Sequence, residues 1–177
     1  MPEPRGEAEN PRLTFILGGA RSGKSAYAEG LIMAHPGPWF YIATAEAFDD
    51  EMRARIGAHR ARRGGDWRTI EAPQELPAAI VAAPAESPLM VDCLAIWLSN
   101  RMFAEADLAA DRAALAAALL ARRAPTVVVS PEVGLSIVPE NALARAFRDA
   151  AGLLHQEVAR IAAHVALVVA GYPVKVK

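Results

Sequence analysis

Leu13-Thr14-Phe15-Ile16-Leu17-Gly18-Gly19-Ala20-Arg21-Ser22-Gly23-Lys24-Ser25 is the stretch on which the fold turns. Leu13–Leu17 is an almost unbroken apolar run, suited to a strand buried on both faces. From Lys24 to Ala34, Tyr27, Ala28, Leu31 and Ile32 recur at helical spacing, and His35-Pro36-Gly37-Pro38 stops the helix. Between strand and helix, Gly18-Gly19-Ala20-Arg21-Ser22-Gly23-Lys24-Ser25 matches G-x-x-x-x-G-K-[ST], in the context that confirms such a phosphate loop. Glycines let the backbone wrap a phosphate closely, and successive N–H groups form an anion nest. The helix N-terminus adds its positive end. Lys24 can reach the β- and γ-phosphates, and the Ser25 hydroxyl can ligate Mg²⁺. The competing reading is a Gly-rich turn with a solvent-facing lysine; the flanking strand and helix favour the phosphate loop.

Outward from this stretch, β-rich runs alternate with helical ones. Trp39–Ala43, Leu89–Val91, Thr126–Ser130 and Val165–Ala170 read as strands. The Ala-rich Leu108–Arg123 and Asn141–Ala163 read as helices, and Val174–Lys177 as an added edge strand. Another helix is expected to start at Asp49-Asp50-Glu51, an N-cap with acidic first-turn residues, and to run to Gly64-Gly65. Alternation at these spacings predicts an α/β fold with a mainly parallel sheet.

The chain has 177 residues, room for one domain, and 39 of them are alanine, which favours closely packed helices. Nineteen Lys and Arg against 20 Asp and Glu rule out a uniformly basic nucleic-acid coat. The single cysteine, Cys93, rules out an intrachain disulfide framework or a Cys-based zinc cluster, and reads as a small buried hydrophobe. No apolar run approaches the length of a membrane span. Residues 1–12, MPEPRGEAENPR, carry acids where a signal peptide carries bases, and are expected to be a disordered extension to a single domain over 13–177. The expected location is cytoplasmic.

A phosphate loop usually works with a carboxylate at the end of a neighbouring strand, which holds the metal and its water. Leu89-Met90-Val91-Asp92 supplies one; the plainer alternative is an Asp that caps a turn. The chain contains no N-K-x-D string, which argues against a switch GTPase.

On a helix over Asp49–Trp67, Met52, Ile56, His59 and Arg63 share a face, with Arg55 and Arg62 flanking His59. Neighbouring guanidiniums disfavour a positive imidazole, so His59 should stay neutral near pH 7 and nucleophilic, with arginines to hold the phosphates it attacks. Taken alone, the segment reads more readily as a solvated Arg-rich face with His59 packed beside Met52 and Ile56. His35, His155 and His164 lack such a setting and read as structural.

With these residues in view, the chain from Leu13 to Lys177 resembles the bifunctional adenosylcobinamide kinase / adenosylcobinamide-phosphate guanylyltransferase family of cobalamin biosynthesis. The matching strings are Gly18–Ser25, Tyr41–Thr44 (YIAT), Asp49–Met52 (DDEM) with Arg55-Ile56 and His59, and Trp67-Arg68-Thr69. Glu132-Val133-Gly134, Ile137–Asn141, Phe147-Arg148-Asp149 and Val174–Lys177 follow in order. The resemblance implies a RecA-like P-loop fold, a trimeric assembly, and two reactions. A nucleoside triphosphate (GTP or ATP) phosphorylates the aminopropanol hydroxyl of adenosylcobinamide. GTP then gives GMP to that phosphate through a GMP–histidine, releasing pyrophosphate and adenosylcobinamide-GDP. By the same resemblance His59 is the nucleophile, with Lys24 catalytic beside it. The nucleotide site would be lined by Gly18, Gly19, Ala20, Arg21, Ser22, Gly23, Lys24, Ser25, Thr44, Ala45, Glu46, Arg60, Ala61, Arg62, Arg63, Glu71 and Asp92, with Mg²⁺ on Ser25 and Asp92.

Three positions depart from the family pattern. Ala58 stands where some members have a second histidine, Pro131 where members often have Asn, and Asp92 where Glu can occur. The rival functions are a small-molecule kinase with His59 a bystander, and a non-catalytic nucleotide-binding subunit.

Overall fold

A computed structural model describes residues 9–45 and 64–177. Among these residues, seven strands form one sheet: β1 (Asn10–Gly18), β2 (Trp39–Ala43), β3 (Trp67–Glu71), β4 (Leu89–Asp92), β5 (Thr126–Pro131), β6 (Ala162–Val169) and β7 (Tyr172–Lys175). Their order is β3-β2-β4-β5-β1-β6-β7, with every pair parallel except the β6–β7 hairpin. The helices are α1 (Lys24–Met33), α2 (Leu76–Ala82), α3 (Leu94–Phe103), α4 (Leu108–Leu120) and α5 (Ala142–Ile161). This is the α/β fold with a mainly parallel, helix-flanked sheet that the sequence predicts.

The sheet is buried on both faces, which is why its central strands are apolar runs rather than alternations. Leu13, Phe15, Ile42, Leu89, Val91, Val128 and Val165 pack on one side against α2, α3, α4 and α5, through Leu76, Ile80, Trp97, Leu115, Leu154 and Val158. Ile16, Tyr41, Met90, Val127, Val129 and Val168 point the other way, onto Ala28 and Ile32 of α1. Each fully buried aliphatic or Phe side chain contributes about 1.5–3 kcal/mol relative to exposure.

Caps and periodicity account for the longer helices. Asp107 accepts from the N–H groups of Ala109 and Ala110, and Asn141 from those of Leu143 and Ala144. On α5 the buried Ala151, Leu154, His155, Val158 and Ile161 form one stripe at helical spacing.

The boundaries move for specific reasons. β1 begins at Asn10, inside the expected extension, because the Asn10 amide is buried and donates to the carbonyls of Leu119 (2.9 Å) and Arg122 (3.0 Å). The lengthened β1 pairs Asn10 with Ala162, so β6 starts there rather than at Val165, and α5 ends at Ile161. α4 stops at Leu120, short of Arg123, and Arg122 turns inward to donate to the carbonyls of Ala83, Pro84 and Ser87. β3, α2 and α3 have no counterpart among the expected elements. The helix expected over Asp49–Arg63 lies outside the described residues.

Candidate functional site

The site is built where the strands end, the edge at which open α/β sheets bind ligands. β1 ends at Gly18, and no side chain fits there: a Cβ would meet the Ser22 hydroxyl and come within 2.7 Å of the Val168 carbonyl. Gly19, Ala20 and Arg21 are exposed, and Arg21 has φ 54°. Gly23 caps α1 with φ 93°, a left-handed geometry that favours glycine. Lys24 and Ser25 occupy the first turn of α1, so the loop runs straight into the helix N-terminus, the end that favours anions. The Lys24 ammonium donates to the Gly19 carbonyl at 3.3 Å, folded across its own loop. The buried Ser22 hydroxyl has no hydrogen-bond partner among the described residues.

The loop is braced from the far end of the chain. Ala170 (φ 50°) and Gly171 (φ 87°) make the two-residue turn of the β6–β7 hairpin. The Gly171 N–H donates to the Ser22 carbonyl at 2.8 Å, and a Cβ on Gly23 would approach the Gly171 Cα to 3.1 Å. On the other side, Pro131 pairs with Gly18 in the parallel ladder, and the next residue, Glu132, donates its N–H to the Gly18 carbonyl at 3.0 Å, a bond that the missing N–H of Pro131 leaves intact.

Asp92 ends β4, half-buried on the α1 face, with β5 between it and β1. Two strand spacings put it about 10 Å from the base of the loop. The Tyr41 hydroxyl donates to its Oδ2 at 3.3 Å. A hydroxyl at Ser25 and a carboxylate at Asp92 are hard oxygen donors on one face of the site. That set suits Mg²⁺, which takes few protein ligands and completes its shell with phosphate and water.

Thr44 is fully buried rather than lining the cleft. Its Oγ1 accepts from the Cys93 N–H (2.9 Å) and donates to the Cys93 carbonyl (2.8 Å), while its own carbonyl accepts from the Asn100 amide (3.1 Å). In this arrangement the Thr44 hydroxyl has no proton to spare for a phosphate oxygen, and it ties the end of β2 to the end of β4. Ala45 is half-buried beside it. Glu71 ends β3 on the same edge, exposed, level with Ala43 and Asp92 but four strands from β1, about 19 Å away. Glu71 and the loop therefore cannot hold the same phosphate. Glu46, His59, Arg60, Ala61, Arg62 and Arg63 lie outside the described residues. Burial and the neighbouring Asp92 push the Cys93 thiol up to about 12, so it remains an un-ionised hydrophobe, as expected.

Sequence reasoning missed three supports: Tyr41 on Asp92, Gly171 under the loop, and a group on the α5 face. There the Ser130 hydroxyl and His155 Nε2 are 2.8 Å apart, and His155 Nδ1 lies 3.8 Å from the Glu132 carboxylate. Burial lowers the His155 pKa, with Glu132 opposing, and the ring packs 5.6 Å from that of Phe15. Only the Ala-Gly pair between two strand-like runs signals any of these in the sequence, as a hairpin turn.

A family model for cobinamide kinase / cobinamide phosphate guanyltransferase matches residues 14–176. The bifunctional adenosylcobalamin biosynthesis protein CobP of Pseudomonas aeruginosa is 44% identical over 166 residues, covering 92% of this chain and 96% of that protein. The CobU proteins of the same description from Salmonella typhimurium and Escherichia coli are 41% and 39% identical, each covering 93% of this chain and 99% of theirs. With a G-x-x-x-x-G-K-S loop where β1 ends, and matched over nearly its whole length by that model and these relatives, the chain belongs to the cobinamide kinase / cobinamide phosphate guanyltransferase family.

Proposed function

We propose that this chain phosphorylates the aminopropanol hydroxyl of adenosylcobinamide from a nucleoside triphosphate, and then transfers GMP from GTP to that phosphate through a GMP adduct on His59. At the coarser level, the chain is a cobinamide kinase and guanylyltransferase of cobalamin biosynthesis by family membership. The observation that carries the finer reading is the Gly18–Ser25 loop itself, whose Gly18 and Ser22 carbonyls are held by the Glu132 and Gly171 amides.

In the guanylyl step, a ring nitrogen of His59 bonds to the α-phosphorus of GTP as the α–β bridging P–O bond breaks, and pyrophosphate leaves toward the loop. An oxygen of adenosylcobinamide phosphate then bonds to the same phosphorus, releasing His59. Lys24 and the loop amides spread the charge of the leaving pyrophosphate. Arg60, Ala61, Arg62, Arg63 and Glu46, with Ala45 and Glu71, are the further residues we assign to nucleotide binding, the arginines by their charge toward phosphate. Ser25 and Asp92 would hold Mg²⁺, which when bound neutralises charge on the triphosphate. Thr44 acts from behind, by fixing Asp92. The assembly we propose is a cytoplasmic homotrimer, for which light scattering should give three times the 18.8 kDa chain mass. No helix among the described residues is long and apolar enough to cross a membrane.

The test is incubation with Mg²⁺ and GTP labelled at the α- or γ-phosphate, followed by denaturation and intact mass. The expected result is an acid-labile adduct from the α-label only, absent in His59→Ala. No adduct with GTP still bound would refute the covalent mechanism, and a γ-label on the protein would mean the wrong phosphorus.

A further inference from the structure

The two half-reactions make different demands on protons. The guanylyl acceptor is a phosphate oxygen that is already anionic, whereas the kinase acceptor is a hydroxyl whose proton must leave as its oxygen bonds to phosphorus. Only the kinase half needs a general base, and Asp92 is engaged by Tyr41 and suited to metal.

We propose that Glu132 is the general base of the kinase half-reaction, taking the proton of the acceptor hydroxyl as that oxygen attacks a γ-phosphorus held over the Gly18–Ser25 loop. The placement is direct. Glu132 follows β5, the strand between the phosphate loop and Asp92, and its own N–H is bonded to the first residue of the loop. Its side chain is 20% exposed, shielded from bulk water yet open on one edge. No lysine or arginine among the described residues comes within ion-pair distance of this carboxylate.

Its orientation is fixed from two sides. The Gly134 N–H donates to Oε1, and a Cβ at Gly134 would press on that same oxygen, at 2.8 Å. His155 faces Oε2. If the Ser130 hydroxyl donates to Nε2, the ring proton sits on Nδ1 and points at the carboxylate; the other tautomer would aim a lone pair at an anion. His155 and Ser130 are thus positioning residues, and Glu132 the catalytic one. As the acceptor oxygen bonds to the γ-phosphorus, the β–γ bridging P–O bond breaks and nucleoside diphosphate leaves. The hydroxyl proton passes to Glu132 and then to water at its open edge.

This inference rests on the proposed function, and its test separates the two. The full-length Glu132→Gln variant, near-isosteric and still able to accept from Gly134, is assayed in each half alone. One assay supplies adenosylcobinamide and nucleotide, the other adenosylcobinamide phosphate and GTP. Kinase kcat should fall about 10²–10⁴-fold with acceptor KM little changed, while guanylyl transfer and the His59 adduct stay within about threefold of wild type. Glu132→Asp should restore part of the kinase rate and serves in place of Gln should that variant fold poorly. Kinase activity retained, or both halves lost together as for a metal ligand or structural residue, overturns the assignment. Failure of the proposed function would instead appear in the wild-type protein, as a missing half-reaction.

Discussion

Replacing Thr44 with Val tests whether this buried residue holds the strand ends or touches the nucleotide. Valine keeps the shape and removes Oγ1, the partner of both peptide groups of Cys93. The Cys93 carbonyl retains the Trp97 N–H at 3.3 Å, but the Cys93 N–H is left buried with nothing in its place. An orphaned buried donor costs about 1–3 kcal/mol, and the lost hydroxyl-to-carbonyl bond about 1 more. The extra methyl group returns a little under 1 kcal/mol. The net loss is about 1–3 kcal/mol. With a urea slope of about 2 kcal/mol/M, the unfolding midpoint should drop by about 0.5–1.5 M with the slope unchanged. Thr44→Ser, which keeps the oxygen, should recover most of it. Nucleotide affinity measured by titration calorimetry well below the midpoint should change less than the stability does. A midpoint within about 0.2 M of wild type, together with a tenfold weaker nucleotide, would refute the reasoning and make Thr44 a ligand contact.

Arg122→Met removes the guanidinium that serves the carbonyls of Ala83, Pro84 and Ser87, while relieving a buried charge whose pKa is lowered by that burial. A loss of about 2–3 kcal/mol is expected, read as a fall of about 5–12 °C in melting temperature, with Lys restoring only part. For His155 the folded-state pKa lies below the ordinary value, so the unfolded chain takes up the proton first. The wild-type advantage over His155→Gln should therefore be full above about pH 6.5 and shrink as pH falls, by at most about 1.4 kcal/mol per unit. Urea midpoints of both proteins at several pH values check this; a constant difference would contradict it.

The legible parts of the sequence are those where constraint is dense and local. Gly18–Ser25 announces itself because backbone wrapping, helix start, lysine and hydroxyl are required within eight consecutive residues. β2, β4 and β5 were readable because burial on both faces writes a run of apolar residues. β3 is a short edge strand with Arg68, Thr69 and Glu71 exposed, and α3 follows Cys93, an N-cap residue that makes no side-chain cap bond, so neither carries a local signal. Asn10 is read from composition as a frayed end, yet two carbonyls more than a hundred residues away hold it in the sheet. His155 reads as structural because its partners, Ser130 and Glu132, are distant in sequence and meet it only through the packing of α5 on β5. The site's outline was written locally; its supports were written in the topology.

The Gly171 amide beneath Ser22 makes the phosphate loop a discontinuous motif. A pattern search sees eight adjacent residues, while the folded loop leans on a ninth from the opposite end of the chain. A homologue could keep all eight letters and lengthen the hairpin turn by one residue; it would pass every motif scan while having lost the amide that sets the loop's shape.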